Sequence, residues 1–86
     1  MLSTQRGNAA VTDLQVWAQQ VAKRADPAVI TEVLFEEDSN TFILRLAKDA
    51  RVLVFRLSAS QVYTDGREFE CERTLNRKIK DLWNLL

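Results

Sequence analysis

Residues 41–57 read TFILRLAKDARVLVFRL, two apolar segments that are separated by a short polar interruption. Apolar and polar side chains alternate through both segments, and a period of two is typical of strands that bury one face. A third alternating segment precedes them. The sequence therefore predicts strands over about residues 29–36, 41–47 and 51–57, and the short connections between them predict an antiparallel meander.

Both connections are short enough to predict how the strands pair. A four-residue loop at residues 37–40 sets the register of the first two strands, and a turn at Lys48-Asp49 sets the register of the next two. The two registers agree, because they place the same apolar side chains on one face. The predicted pairs are Phe35 with Phe42, Val33 with Leu44, Thr31 with Leu46 and Glu32 with Arg45, then Leu44 with Leu53 and Phe42 with Phe55.

One face of the predicted sheet is almost entirely apolar, and helices at the two ends of the chain are its expected cover. Its side chains are Val33, Phe35, Phe42, Leu44, Leu46, Leu53, Phe55 and Leu57. Thr12 and Gln15 have the form of a capping box, and apolar residues recur at helical spacing from there to Asp26-Pro27, where proline ends the helix. A second amphipathic pattern predicts a helix from Thr74, with an apolar stripe of Leu75, Ile79, Leu82 and Leu86.

Residues 61–72 leave two interpretations open. An Asp-Gly turn at residues 65–66, followed by alternating polar and apolar residues, is typical of a hairpin that would extend the sheet to five strands. Alternatively, Asp65 and Glu68 cap a helix that begins at about residue 66. The predicted class is α+β: a three-stranded or five-stranded antiparallel meander sheet with N-terminal and C-terminal helices packed on one face.

The length and composition predict one small domain. The chain has 86 residues, of which 47% are hydrophobic, and its 12 basic and 12 acidic residues give a net charge of zero. Residues 1–10 lack periodicity and are predicted to be a flexible tail, and residues 11–86 a single α+β domain. Balanced charge gives no general reason to expect nucleic acid as a partner, and charged residues interrupt every apolar segment, so no membrane span is expected.

The residues that carry common enzyme and cofactor chemistry are sparse. The chain has no histidine, which removes the usual general base and metal ligand. The single cysteine, Cys71, lies between Glu70 and Glu72, whose negative charge disfavours the thiolate that a nucleophile needs. We therefore expect a non-enzymatic protein with no cofactor and no metal. A lone cysteine and the absence of a signal-peptide pattern favour a reducing cytoplasm.

The second face of the predicted sheet has a mixed composition and is the leading candidate for a functional site. Aliphatic side chains at its centre and charged side chains around them are typical of a protein interface. The hypothesis is a protein-interaction domain that forms a homodimer or binds another protein through this face. The candidate interface residues are Leu34, Ile43, Val52, Val54, Glu32, Arg45 and Arg56.

Two further functions remain open. Arg73, Arg77 and Lys80 lie at i, i+4 and i+7 of the C-terminal helix and form a basic stripe that is a candidate nucleic-acid contact. Against it, three glutamates immediately precede the stripe, which favours an ordinary solvated face. The other function is a small-molecule pocket between the sheet and the helices, near Trp17 or Trp83.

Overall fold

The computed structural model describes residues 1–85 and contains one open three-stranded antiparallel sheet in the order β1-β2-β3. Helices precede and follow the sheet and pack on one of its faces, so the predicted α+β class is confirmed with three strands. A short 3-10 turn, Gly7–Ala10, leads into the first helix. The elements are α1 (Val11–Ala25), β1 (Ile30–Glu36), β2 (Thr41–Lys48), β3 (Arg51–Ser58), α2 (Ala59–Tyr63) and α3 (Glu68–Trp83).

The first hairpin has the predicted register. Residues 37–40 form the four-residue loop, and Asn40 at its end has a positive φ of 52°, a conformation that asparagine tolerates better than most residues. All four predicted pairs of the first hairpin are present, including Glu32 with Arg45. The alternation in β1 and β2 therefore predicts correctly which side chains enter the core.

The predicted register of the second hairpin is wrong by two residues. The turn falls at Asp49-Ala50 rather than at Lys48-Asp49, with a positive φ of 55° at Asp49. A short polar side chain is tolerated in this left-handed conformation. A shift of two residues leaves each side chain on its predicted face. The observed pairs are Leu46 with Leu53, Leu44 with Phe55, and Phe42 with Leu57.

The five-stranded alternative is wrong, because residues 61–63 end α2, residues 68–72 begin α3, and a turn joins the two helices. Ser58 and Gln61 form a capping box that begins α2, and Gly66, with a positive φ of 90°, lies in the turn before α3. The helical interpretation is correct in type, although Arg67 rather than Asp65 is the N-cap residue of α3. In a strand, Phe69 and Cys71 would lie on the same face of the sheet. In the structure Cys71 is buried while Phe69 is 75% exposed, as two positions on different sides of a helix are.

The N-terminal segment and the start of α1 differ from the predicted cap. The helix begins at Val11, after the 3-10 turn, and no side chain caps it, so the predicted capping box of Thr12 and Gln15 is wrong. Ser3 and Ala10 are buried in the structure. Most of the other residues of this segment are exposed, and its predicted flexibility stays a prediction.

The core lies between the helices and the apolar face of the sheet. It includes every predicted sheet residue of that face except Phe35 and Leu53, which are half-buried against it. The predicted stripe of α3 is also buried, apart from Leu86, which lies outside the described residues. Within residues 1–85, no helix is both long and apolar enough to cross a membrane. The largest fully buried side chains include Phe42, Leu14, Leu44, Leu46, Leu57, Leu75, Ile79 and Leu82.

Two glutamine side chains of α1 bind the outer edge of β1. The Gln15 amide donates to the Thr31 carbonyl and accepts from the Val33 N–H at 2.8 Å. One turn later, the Gln19 amide donates to the Val29 carbonyl at 3.1 Å and accepts from the Thr31 N–H at 3.1 Å. These amides satisfy backbone groups that a neighbouring strand would otherwise bind.

The C-terminal ends of α1 and α3 meet β2 at the Asp26 carboxylate. Asp26 accepts from Lys48 Nζ at 2.6 Å, from Trp83 Nε1 at 3.0 Å and from the Ala28 N–H at 3.0 Å. The hydrogen bond from Lys48 is the main cause that lowers the pKa of Asp26 below its ordinary value of 3.8. The native state therefore favours the ionised form.

We predict that Gln15→Ala lowers the free energy of unfolding by about 1–3 kcal/mol, because it leaves backbone groups of β1 unpaired. Chemical denaturation measures this change. The matched control is Gln20→Ala, an exposed position on the same helix, which we expect to change stability by less than about 0.5 kcal/mol. Equal effects of the two substitutions would contradict the role of the Gln15 amide.

We predict that Asp26→Asn removes part of the acid sensitivity of the fold. The pKa of Asp26 is lower in the native state than its ordinary value of 3.8, which applies to the unfolded chain. The Asp26 charge therefore stabilises the fold above pH 3.8, and this stabilisation is lost as the pH falls through the native pKa. The stability difference between the wild type and Asp26→Asn should therefore narrow below pH 3.8. Thermal denaturation as a function of pH measures it, with Asp38→Asn in the exposed loop as the control; a constant difference would refute the prediction.

Candidate interaction surface

The seven predicted interface residues lie together on the face of the sheet away from the helices, here called the open face. Pairing places Leu34, Ile43 and Arg56 in one row across the three strands. The neighbouring row holds Glu32, Arg45 and Val54, and Val52 lies beside Ala47 in the row beyond. No element within residues 1–85 covers this face, because α1, α2 and α3 pack on the other one.

The aliphatic side chains of the open face are largely accessible to solvent. Leu34 is 53% exposed, Val54 57% and Val52 43%, while Ile43 at the centre is half-buried. Ile30 at the start of β1 is 67% exposed and belongs to the same face, although it is not among the predicted interface residues. The alternation of β1 is the signal that assigns Ile30 to this face. Together these residues form an apolar surface without a partner in the described chain.

An ion pair fixes the charged side chains at one end of the open face. Arg56 donates to Glu36 at 3.1 Å and to Thr41 Oγ1 at 3.3 Å, so its side chain leans across β2 towards β1. Ser39 also donates to Glu36 at 2.7 Å. The hydrogen bonds from Ser39 and then Arg56 lower the pKa of Glu36 below its ordinary value of 4.5.

Arg45 occupies the middle of the open face, on the central strand. It lies opposite Glu32 of β1 and Val54 of β3, but no salt bridge joins it to Glu32 or to another acidic side chain within residues 1–85. Its guanidinium is therefore available to a partner. The surface combines exposed aliphatic groups with positioned charges, an arrangement that is typical of protein interfaces.

The basic stripe of Arg73, Arg77 and Lys80 is exposed along α3, as its spacing predicts. None of the three forms a salt bridge in the part of the chain that the structure describes. The preceding glutamates are engaged elsewhere: Glu72 accepts from Arg24 at 3.2 Å.

Arg67, which precedes α3, is not part of this stripe. It donates to both oxygens of Glu70, at 2.8 and 2.9 Å. Its hydrogen bonds, with a smaller contribution from Gln61, lower the pKa of Glu70 to about 2. This pair neutralises charge beside the stripe without covering it.

A surface cleft of about 460 Å³ lies at Gln20, Lys23 and Arg24 of α1, and neither tryptophan is among these lining residues. Trp17 packs half-buried against the core, and Trp83 is held by its hydrogen bond to Asp26. A surface cleft of about 280 Å³ lies elsewhere, beside α2. Its lining residues are Arg6, Gly7, Asn40, Ala59, Ser60 and Tyr63.

Cys71 is buried on α3, where its Sγ donates to the Gln61 carbonyl at 3.4 Å. Burial is the main cause that raises the pKa of this thiol above its ordinary value of 9.0, and the charge of Glu70 adds to the effect.

Residues 1–85 contain no group of three or more side chains placed to hold a metal ion. Comparison with protein-family models, curated proteins and solved structures finds no match to this chain.

Proposed function

We propose that this chain is a small non-enzymatic protein-interaction domain that binds through its open face, either to a second copy or to a different protein. The observation that carries the proposal is the exposed aliphatic surface of Leu34, Val52 and Val54 beside the unpaired Arg45. Small domains also gain stability when association buries such a surface. The buried, unpaired Cys71 thiol supports a reducing compartment such as the cytoplasm.

The size of the apolar surface limits the strength of the contact. Full burial of one aliphatic side chain contributes about 1.5–3 kcal/mol, and these side chains are about half exposed. The four most exposed ones, Ile30, Leu34, Val52 and Val54, therefore contribute about 3–6 kcal/mol from each chain, or about 6–12 kcal/mol in a symmetric dimer. Association costs about 4–15 kcal/mol in lost translation and rotation, a cost of the same size, so polar or backbone contacts add to the stability of the complex.

We predict that a double variant with Leu34→Glu and Val54→Glu associates less than the wild type, because it places unpaired charges on both outer strands of the open face. Light scattering across a dilution series measures the solution mass, for which the chain mass of 9.9 kDa is the reference. The matched control is Val16→Glu on α1, where the side chain is 53% exposed, as that of Leu34 is.

Two results bear on the proposal directly. If the double variant associates as strongly as the wild type, the open face is not the binding surface. If the wild type keeps the monomer mass at every concentration, self-association is excluded. The proposed partner is then a different protein.

The exposure of Arg73, Arg77 and Lys80 on one face of α3 favours nucleic-acid binding as the second candidate function. We predict that any binding to DNA or RNA weakens steeply with rising salt, because phosphate contacts release counterions. At a given salt concentration, Arg77→Gln should bind more weakly than the wild type. Fluorescence anisotropy at two salt concentrations measures this, with Lys23→Gln on α1 as the control. Binding that is absent or independent of salt would rule out this role.

A further inference from the structure

The two outer edges of the sheet differ in how their backbone groups are satisfied. At β1, the side chains of Gln15 and Gln19 occupy the N–H and C=O groups that point outward, and α1 lies alongside. A further strand therefore has few free groups to bind at this edge. The edge of β1 is closed from the Val29 carbonyl to the Val33 N–H.

The edge of β3 is open, as the register shows. In an antiparallel sheet, successive residues direct their backbone groups alternately to the two sides of the strand. Thr31 directs its N–H and C=O groups outward, away from β2, and its pairing partner on β2 is Leu46. The N–H and C=O groups of Leu46 therefore point towards β3, where they pair with those of Leu53. Val52 and Val54 therefore direct their N–H and C=O groups to the outer edge, where no hydrogen bond to them is present within residues 1–85.

We propose that β3 pairs antiparallel with β3 of a second copy, across a two-fold axis at Val54, to form a continuous six-stranded sheet. This inference goes beyond the proposed function, because it places a contact at the edge of β3, where only Val52 and Val54 of the exposed aliphatic side chains lie. Val54 then lies opposite the partner's Val54, and Arg51 opposite the partner's Leu57, so that seven residues of each strand pair. The backbone hydrogen bonds of this pairing supply the contacts that the aliphatic side chains alone do not.

The side chains of β3 are compatible with this register. Val52 lies opposite the partner's Arg56 on the open face, and Leu53 lies opposite the partner's Phe55 on the helical face, so each face of one sheet continues into the same face of the other. Neither Arg51 nor Arg56 lies opposite an arginine of the second copy. Arg56 is also held towards β1 by Glu36 and leaves the edge free. The helices lie behind the sheet, where α3 contacts β2 as well as β3.

Packing of two open faces across a two-fold axis at Arg45 is disfavoured by this residue. This residue lies at the centre of the face, so a two-fold axis through the centre brings it close to the partner's Arg45. Two guanidinium groups without acidic partners would then be removed from water, at a large desolvation cost. Edge pairing leaves Arg45 in solvent and joins the Val52 and Val54 side chains of both copies into one apolar strip.

Disulfide cross-linking tests the position of the axis. Val54→Cys should form a covalent dimer under mild oxidation, because Cα atoms about 5.5 Å apart in a bonded antiparallel pair lie within the range of a disulfide. Leu34→Cys, two strands away on the same face, and Val16→Cys on α1 are the matched controls and should form no covalent dimer. An excess of wild-type chain should reduce the Val54→Cys dimer. The native Cys71 is buried and should not compete.

Each other outcome overturns the edge pairing. Cross-linking of Leu34→Cys at the same rate as Val54→Cys indicates face-to-face packing or random collision. A wild-type chain of monomer mass, with no Val54→Cys dimer, shows that the occupant is not a second copy, and the open face then remains available to a different protein. Failure of the proposed function has a separate signature: the single variant Leu34→Glu, two strands from the β3 edge, binds its partner as the wild type does.

Discussion

The amide groups of Gln15 and Gln19 connect the first helix to the edge of the sheet, and the arrangement of the molecule follows from this connection. Both side chains are on one side of α1, one turn apart, and the spacing of the backbone groups on β1 matches them. With α1 held beside β1, the Leu14 and Ala18 side chains meet the apolar face. The remaining width of that face, over β2 and β3, is left to α3.

A sheet of three strands with helices on one side has one face to bury and one to expose. In most such sheets the exposed face is polar, because alternation places polar residues there. Here the alternation is incomplete: Ile30, Leu34, Val52 and Val54 replace polar residues on the solvent side. The charged residues among them are positioned by pairing, as Arg56 is by Glu36. This departure is the physical basis for assigning the open face a binding role.

Local patterns predicted the sheet well, and long-range hydrogen bonds explain the errors. Alternation and a four-residue loop were sufficient for the register of Phe35 with Phe42, and the exposed face followed from it. The turn at Asp49 depends on which residue adopts a positive φ, which periodicity does not report. Gln15 resembled a capping residue because the cap pattern is local, whereas its actual partners, Thr31 and Val33, are distant in sequence. The apolar exposure of the face was predictable, but the difference between the two edges was not.

That difference between edges has a consequence for the size of any assembly. A sheet with two open edges adds copies at both ends and grows without limit, whereas a sheet with one open edge closes after a single two-fold pairing. The Gln15 and Gln19 amides occupy the β1 edge from Val29 to Val33, so pairing through β3 uses the more open edge of each copy in the described chain. The strand RVLVFRLS contains five apolar residues and lacks proline, two features of strands that associate at an open edge. The same two glutamines that fix α1 to the sheet therefore favour a dimer over a longer assembly for the proposed β3 pairing.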